Sequence, residues 1–206
     1  MIHGPSDEDF RRAVSVLEQG GIVAFPTETF YGLAVDPFNE KALTDLFNMK
    51  GRSLHKPFLV LIQDESQLSD LASSIPHTYR PLMKAFWPGP LTLVFPAVPG
   101  LSSLLTGESG GIGVRISPHP VAGIFGRMWG RPMTATSANL SGMPAARTAE
   151  EVQRYFGDGV SCILDGGKTP GGMSSTVVGV EQGKLQLIRA GVIDFSSLLQ
   201  VTKADA

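Results

Sequence analysis

The sequence predicts an α/β fold: a single domain over residues 1–206 with a twisted, mixed β-sheet flanked by helices. Three observations carry this. Short apolar runs rich in Val, Ile and Leu alternate with segments whose apolar residues recur at helical spacing. Two of those runs, at 176–180 and 185–189, are separated by a turn too short for a helix, so antiparallel pairs must join any parallel ones. With 42% hydrophobic residues in 206, and no repeat, low-complexity tract or linker, one sizeable core is the expected outcome.

The elements follow in order. Ser6 precedes three acids, Asp7, Glu8 and Asp9, which suit the first turn of a helix. Phe10, Ala13, Val14 and Leu17 give that helix an apolar face, and Gly20-Gly21 stops it. Ile22–Phe25 reads as a buried strand closed by Pro26. Asn39–Lys50 reads as a helix with Leu43, Leu46 and Phe47 on one face, and Phe58–Ile62 as a strand. Asp64–Leu71 and Pro76–Trp87 are helical, the second ended by Pro88-Gly89-Pro90. Leu91–Phe95, Ile112–Ile116 and Met133–Thr136 are strands, with a helix at Pro120–Met128 before the last of them. Thr148-Ala149-Glu150-Glu151 is a capping box opening a helix through Phe156. Ile163–Asp165 is a short strand, and Thr176–Val180 and Leu185–Arg189 form a hairpin across Glu181-Gln182-Gly183.

Composition removes several classes of function. A single cysteine, Cys162, excludes a disulfide framework and a cysteine-based metal site. His3, His55, His77 and His119 are scattered and form no metal-binding spacing, so no metal site is expected. No apolar run has the length of a membrane span and the start lacks a signal-like core, which points to a cytoplasmic protein with no membrane partner. Gly167-Lys168-Thr169 imitates the end of a P-loop, but Cys162 stands where its first glycine belongs and Pro170 forbids the helix that should follow. Net charge is −2, yet residues 77–147 carry six basic side chains against the single acid Glu108. That segregation points either to an anionic ligand or to a basic surface scattered by folding.

Three polar loops remain, each at the exit of an apolar strand or helix. Pro26–Leu33 packs two threonines, an acid and a phenol between Pro and Gly. Lys50-Gly51-Arg52, with His55 and Lys56, concentrates three permanent cations. Thr134–Gly142 is a run of small hydroxyl and amide residues. Turn chemistry and a solvated helix end explain each alone; together they suit a nucleoside triphosphate held without a P-loop, the cations on phosphates and the hydroxyls and amides on sugar and base. Arg115 sits in the apolar run Ile112–Ile116, where alternation sets it on one face with Gly113, opposite Val114 and Ile116. A buried arginine needs a partner, either an internal acid such as Glu28 or a ligand carboxylate.

These loops, in this order, resemble the YrdC family of threonylcarbamoyl-adenylate synthases, over roughly residues 7–192. Gly20–Leu33 is similar to the family's opening motif, Lys50-Gly51-Arg52 to its K-x-R element and Ser137-Ala138-Asn139 to its S-x-N element. Trp87–Thr92 and Val114-Arg115-Ile116 are similar to further signatures. The resemblance implies the short form of the family, with a single YrdC-like domain. It implies a nucleotidyl transfer from ATP, with Mg²⁺ carried by the nucleotide: L-threonine, bicarbonate and ATP give threonylcarbamoyl-AMP and pyrophosphate. The product then serves transferase proteins that modify the adenosine beside the anticodon of tRNA. By resemblance, Lys50 and Arg52 are catalytic. Arg52, Lys56, Ser137, Asn139, Ala145 and Arg189 bind ATP, and Thr29, Arg115, Ala135 and Ser175 bind threonine. Two positions depart from the family: Leu61 stands where many relatives have His, and Ala145 where Ser is frequent. Family members are also associated with double-stranded RNA, so the competing expectation is a paralogue that binds RNA or tRNA without this activity. The acidic balance and the lack of interleaved aromatic and basic residues speak against it.

Overall fold

The computed structural model describes residues 4–51 and 57–204. Helix α1 (Asp7–Glu18) starts at a complete capping box: Ser6 Oγ accepts the Asp9 N–H, and Asp9 Oδ2 accepts the Ser6 N–H at 2.8 Å. Strand β1 (Val23–Pro26) follows, then β2 (Tyr31–Ala34), α2 (Glu40–Lys50), β3 (Val60–Leu61), α3 (Tyr79–Phe86) and β4 (Leu91–Pro96). The rest of the chain gives α4 (Ser103–Thr106), β5 (Gly111–Arg115), α5 (Pro120–Trp129), β6 (Met133–Thr134), β7 (Thr136–Ser137), α6 (Ala149–Phe156), β8 (Cys162–Ile163), β9 (Thr176–Glu181), β10 (Lys184–Arg189) and α7 (Phe195–Ala204).

The strands form two mixed sheets rather than the one expected. A four-stranded sheet has the order β7-β2-β1-β8 and a six-stranded sheet the order β10-β9-β4-β5-β3-β6. The run Met133–Thr136, read from sequence as one strand, is split between them. Thr134 pairs with Val60 in the larger sheet, and Thr136 pairs with Leu33 in the smaller. Thr134 stitches the seam, its hydroxyl donating to Leu33 O at 3.2 Å and accepting the Val35 N–H at 2.9 Å. Ala135, at the crossing, donates its N–H to Leu59 O.

The inner strands β1, β2, β4 and β5 are buried and mostly apolar, whereas the edge strand β10 is largely exposed. Val23, Phe25, Ala34 and Leu61 face a cluster built with Phe10, Ala13 and Leu17 of α1 and Val121, Phe125 and Trp129 of α5. Ala24, Leu33, Val60, Leu93, Ile112 and Val114 face the larger cluster. The period-two alternation thus decides which core each side chain joins.

Other expectations shift in detail. Pro26–Leu33 is not one loop: Tyr31–Ala34 returns as β2, antiparallel to β1, and only the turn at 27–30 is irregular. Asp64–Leu71 forms a 3₁₀ helix (Glu65–Asp70) capped by Asp64, not an α-helix. The capping box at Thr148 is half made. Thr148 accepts the Glu151 N–H, but the Glu151 carboxylate reaches past the cap to the Arg147 N–H at 2.6 Å. Helices α4 and α7 have no counterpart in the sequence reading.

Candidate functional site

A cavity of about 700 Å³ opens where the two sheets meet, beside the crossing at Ala135. One wall is the β1–β2 turn. Its Thr27 N–H donates to Phe30 O, and the Thr27 hydroxyl donates to the same carbonyl at 2.7 Å. The hydroxyls of Thr27 and Thr29 lie 3.1 Å apart, both buried, so the turn presents oriented oxygens rather than a loose loop. Tyr31 is fully buried behind it. Its phenol meets Asp165 Oδ1 at 3.2 Å and Gly167 O at 2.9 Å, and burial together with the Asp165 charge pushes it to titrate well above an ordinary tyrosine.

The floor is β5. Gly111, Gly113 and Arg115 occupy alternate positions and line the cavity, while Ile112 and Val114 enter the large core. A methyl group on Gly113 would come within 2.5 Å of Leu59 Cδ2, so the missing side chain lets the cavity wall close in. Arg115 is 6% exposed and its Nη1 donates to Glu28 Oε1. Burial pulls its pKa down and the Glu28 charge opposes that pull. Ser175 and Arg189 form the far side. Arg189 Nη2 donates to Ser175 O at 2.8 Å and to Ser175 Oγ at 3.0 Å, and Ser175 Oγ lies 2.9 Å from Thr92 Oγ1. Burial and the neighbouring Arg115 charge both lower the Arg189 pKa, so the two guanidiniums share one field that favours an anion.

The opposite lip is the loop after β7. Ser137 Oγ donates to Asn139 Oδ1 at 2.6 Å, and Asn139 Nδ2 donates to Met143 O at 2.6 Å. Lys50 ends α2 beneath this loop. It is 2% exposed, and its ammonium donates to the main-chain oxygens of Ser137 and, at 2.8 Å, Asn139. The Ser141 N–H returns the contact to Lys50 O at 3.0 Å.

Of the residues singled out from sequence, Thr29, Lys50, Arg115, Ala135, Ser137, Asn139, Ser175 and Arg189 all line this one cavity. Ala145 does not; it is half-buried on the path to α6. Arg52 and Lys56 lie outside the described residues. Leu61, one of the two departures from the expected pattern, is buried in the α1–α5 core instead of lining the cavity. The basic stretch 77–147 does not converge as a unit. Arg131 pairs with Asp36 at 3.2 Å and covers the Trp129 ring, and Arg147 donates to Thr169 and Pro170 carbonyls. Sequence reasoning missed Ser109, Gly111 and Ser174 as lining residues; for Gly111 the signal was its two-residue spacing from Gly113.

A family model described as Sua5_yciO_yrdC, telomere recombination, matches residues 15–191. The threonylcarbamoyl-AMP synthase of Pyrococcus abyssi is 37% identical over 191 residues, covering 93% of this chain and 56% of that protein. The protein of the same name from Bacillus subtilis is 39% identical over 189 residues, covering 91% of this chain and 55% of that protein. This chain therefore spans about half the length of these relatives. The crystal structure of P. abyssi Sua5 complexed with L-threonine superposes with a TM-score of 0.91 at 36% identity, over 97% of this chain and 58% of that one.

Proposed function

The chain belongs to the Sua5/YciO/YrdC family, and from that premise we propose that it is an L-threonylcarbamoyladenylate synthase. In this reading the threonine amine displaces water from bicarbonate to form a carbamate. A carbamate oxygen then attacks the α-phosphorus of ATP, and pyrophosphate leaves. No enzyme nucleophile takes part, so catalysis rests on holding two substrates in line and on spreading positive charge over the phosphates.

The observation that carries the reading is the convergence on one cavity of eight residues to which the resemblance gives roles. The roles implied by the resemblance distribute over this cavity. Arg115, Thr29, Ala135 and Ser175 make an amino-acid end: a guanidinium fork for the carboxylate, with hydroxyls beside it. Ser137 and Asn139 on the opposite lip, with Arg189 on the far side beside Ser175, would take the nucleotide, and Lys50 braces the Ser137–Asn139 loop from below. Arg52 and Lys56 complete the phosphate cations on the strength of the motif. Among the described residues no three His, Cys, Asp or Glu side chains are gathered to hold a metal. In this reading Mg²⁺ comes with the nucleotide substrate, as the resemblance implies.

The product would pass to transferase proteins acting on tRNA. The competing RNA-binding role is the less favoured: of the basic residues in 77–147, Arg115 is buried and Arg147 donates to main-chain carbonyls, while Arg80, Lys84, Arg127 and Arg131 are exposed without converging on one motif. The test is mass-spectrometric detection of threonylcarbamoyl-AMP from purified protein, with each substrate omitted in turn. Product should require threonine, bicarbonate and ATP together; nucleotide turnover indifferent to threonine would sink the proposal.

A further inference from the structure

Glu28 sits in the β1–β2 turn with both carboxylate oxygens occupied. Oε1 accepts from Arg115 Nη1 and Oε2 from Ser117 Oγ, and the side chain is only 14% exposed. Ser117 is itself fixed, accepting the His119 N–H at 3.3 Å, and His119 caps α5 by accepting the Val121 N–H on Nδ1 at 3.2 Å. The chain of contacts runs from the start of a helix to one edge of the Arg115 fork. Among the described residues Glu28 is the only hydrogen-bond partner of the Arg115 side chain, and it takes a single nitrogen. Arginine has five N–H donors, so the rest of the fork is left for the cavity that Arg115 lines. Arg189 adds a second positive charge on the same wall, and Glu28 is the one carboxylate in contact with either guanidinium among the described residues. Two cations against one anion leave room for one further carboxylate.

We infer that Glu28 is a positioning residue for the amino-acid substrate: it pins one edge of Arg115 so that the remaining donors face the cavity as a preformed receptor for the substrate carboxylate. This rests on the reading of Arg115 as the amino-acid partner. A receptor held this way loses no rotamer freedom on binding, and its charge is already compensated in the empty site. The opposite arrangement, in which Glu28 occupies the place of the substrate carboxylate and must be displaced, predicts the reverse effect of its removal.

The experiment measures binding of threonine, and of threoninol, which lacks the carboxylate, by calorimetry without turnover, alongside ATP affinity and melting temperature. Glu28→Gln keeps the shape and removes the charge. It should weaken threonine binding by about 30-fold or more, the lower end of the range for disabling one partner of a buried charge pair, and leave ATP affinity unchanged. The preference for threonine over threoninol should shrink by the same factor. Ser117→Ala, which leaves the ion pair in place, should cost roughly fivefold in threonine affinity, the scale of one hydrogen bond.

A lower melting temperature in E28Q with the wild-type preference for threonine retained would make the pair structural only. Tighter threonine binding in E28Q would make Glu28 a competitor. Either result overturns the inference, and if E28Q does not fold, unchanged threonine selectivity in S117A overturns it alone. A wild-type chain that binds threonine and threoninol alike overturns the reading of Arg115, and this inference with it. A selective wild type beside an equally selective E28Q overturns the role of Glu28 alone.

Discussion

Lys50 shows what a motif conveys and what it conceals. Two cations around a glycine suggest side chains aimed at phosphates, and Lys50 does line the cavity. Its ammonium, however, is committed to the carbonyls of Ser137 and Asn139, so its first effect is to hold the Ser137–Asn139 loop in shape. Lys50→Ala should therefore lower turnover by ~100-fold or more and lower the melting temperature as well, because two partly buried carbonyl acceptors lose a charged donor. Arg52→Ala, for which the expectation rests on the motif, should lower turnover on the same ~100-fold scale. Equal melting temperatures for wild type and K50A would contradict the bracing role. Arg115 was legible as a buried charge that needs a partner, and alternation placed it correctly on the cavity face with Gly113. The sequence left open which partner it takes. The structure gives it Glu28, so Arg115→Ala removes a ligand partner and also strands a mostly buried carboxylate. We expect a raised threonine KM together with a stability loss of about 3 kcal/mol, measured by denaturant titration; loss of stability with an unchanged KM would leave Arg115 only a structural part.

Elements were legible where local chemistry decides them. Ser6, Asn39 and Thr148 each cap the helix that the periodicity predicts. The β9–β10 turn at Gln182-Gly183 has positive φ at both residues, as a two-residue hairpin requires. What could not be read is what long-range pairing imposes. Tyr31–Ala34 is a strand because β1 and β7 flank it, although Thr27–Thr29 before it look like turn. The division at Ala135 exists only because a second sheet is there to receive Thr136. Helix α5 offers a test at this scale. Its cap His119 accepts the Val121 N–H on Nδ1, which needs the neutral ring, and burial lowers its pKa below the ordinary 6.5 against the pull of Glu28. A histidine depressed in the folded state binds its proton more readily when unfolded, so stability is present above that value and falls as pH drops from 6.5 toward the folded pKa. Asn accepts the same cap hydrogen bond without titrating. His119→Asn should flatten the fall of the melting temperature below pH 6.5; identical pH profiles for both proteins would remove His119 from the cause.

At the scale of the whole molecule, two sheets share a seam, and the seam is where the site lies. Thr134 binds Leu33 and Val35 of one sheet while its strand pairs with the other, Ala135 crosses, and the cavity opens beside them. Loops distant in sequence meet there because the topology brings the ends of β2, β5, β7 and β10 to one place. That juxtaposition supports one central claim: a single cavity holds an amino acid and a nucleotide side by side for adenylate transfer. ATP–pyrophosphate exchange tests it most directly, since label returns to ATP only if the protein forms an adenylate reversibly. We predict exchange that appears when threonine and bicarbonate are both present, vanishes when either is omitted, and is lost in Arg115→Ala at wild-type-saturating threonine. Exchange that proceeds without threonine, or none in the complete mixture with folded protein, would contradict the claim.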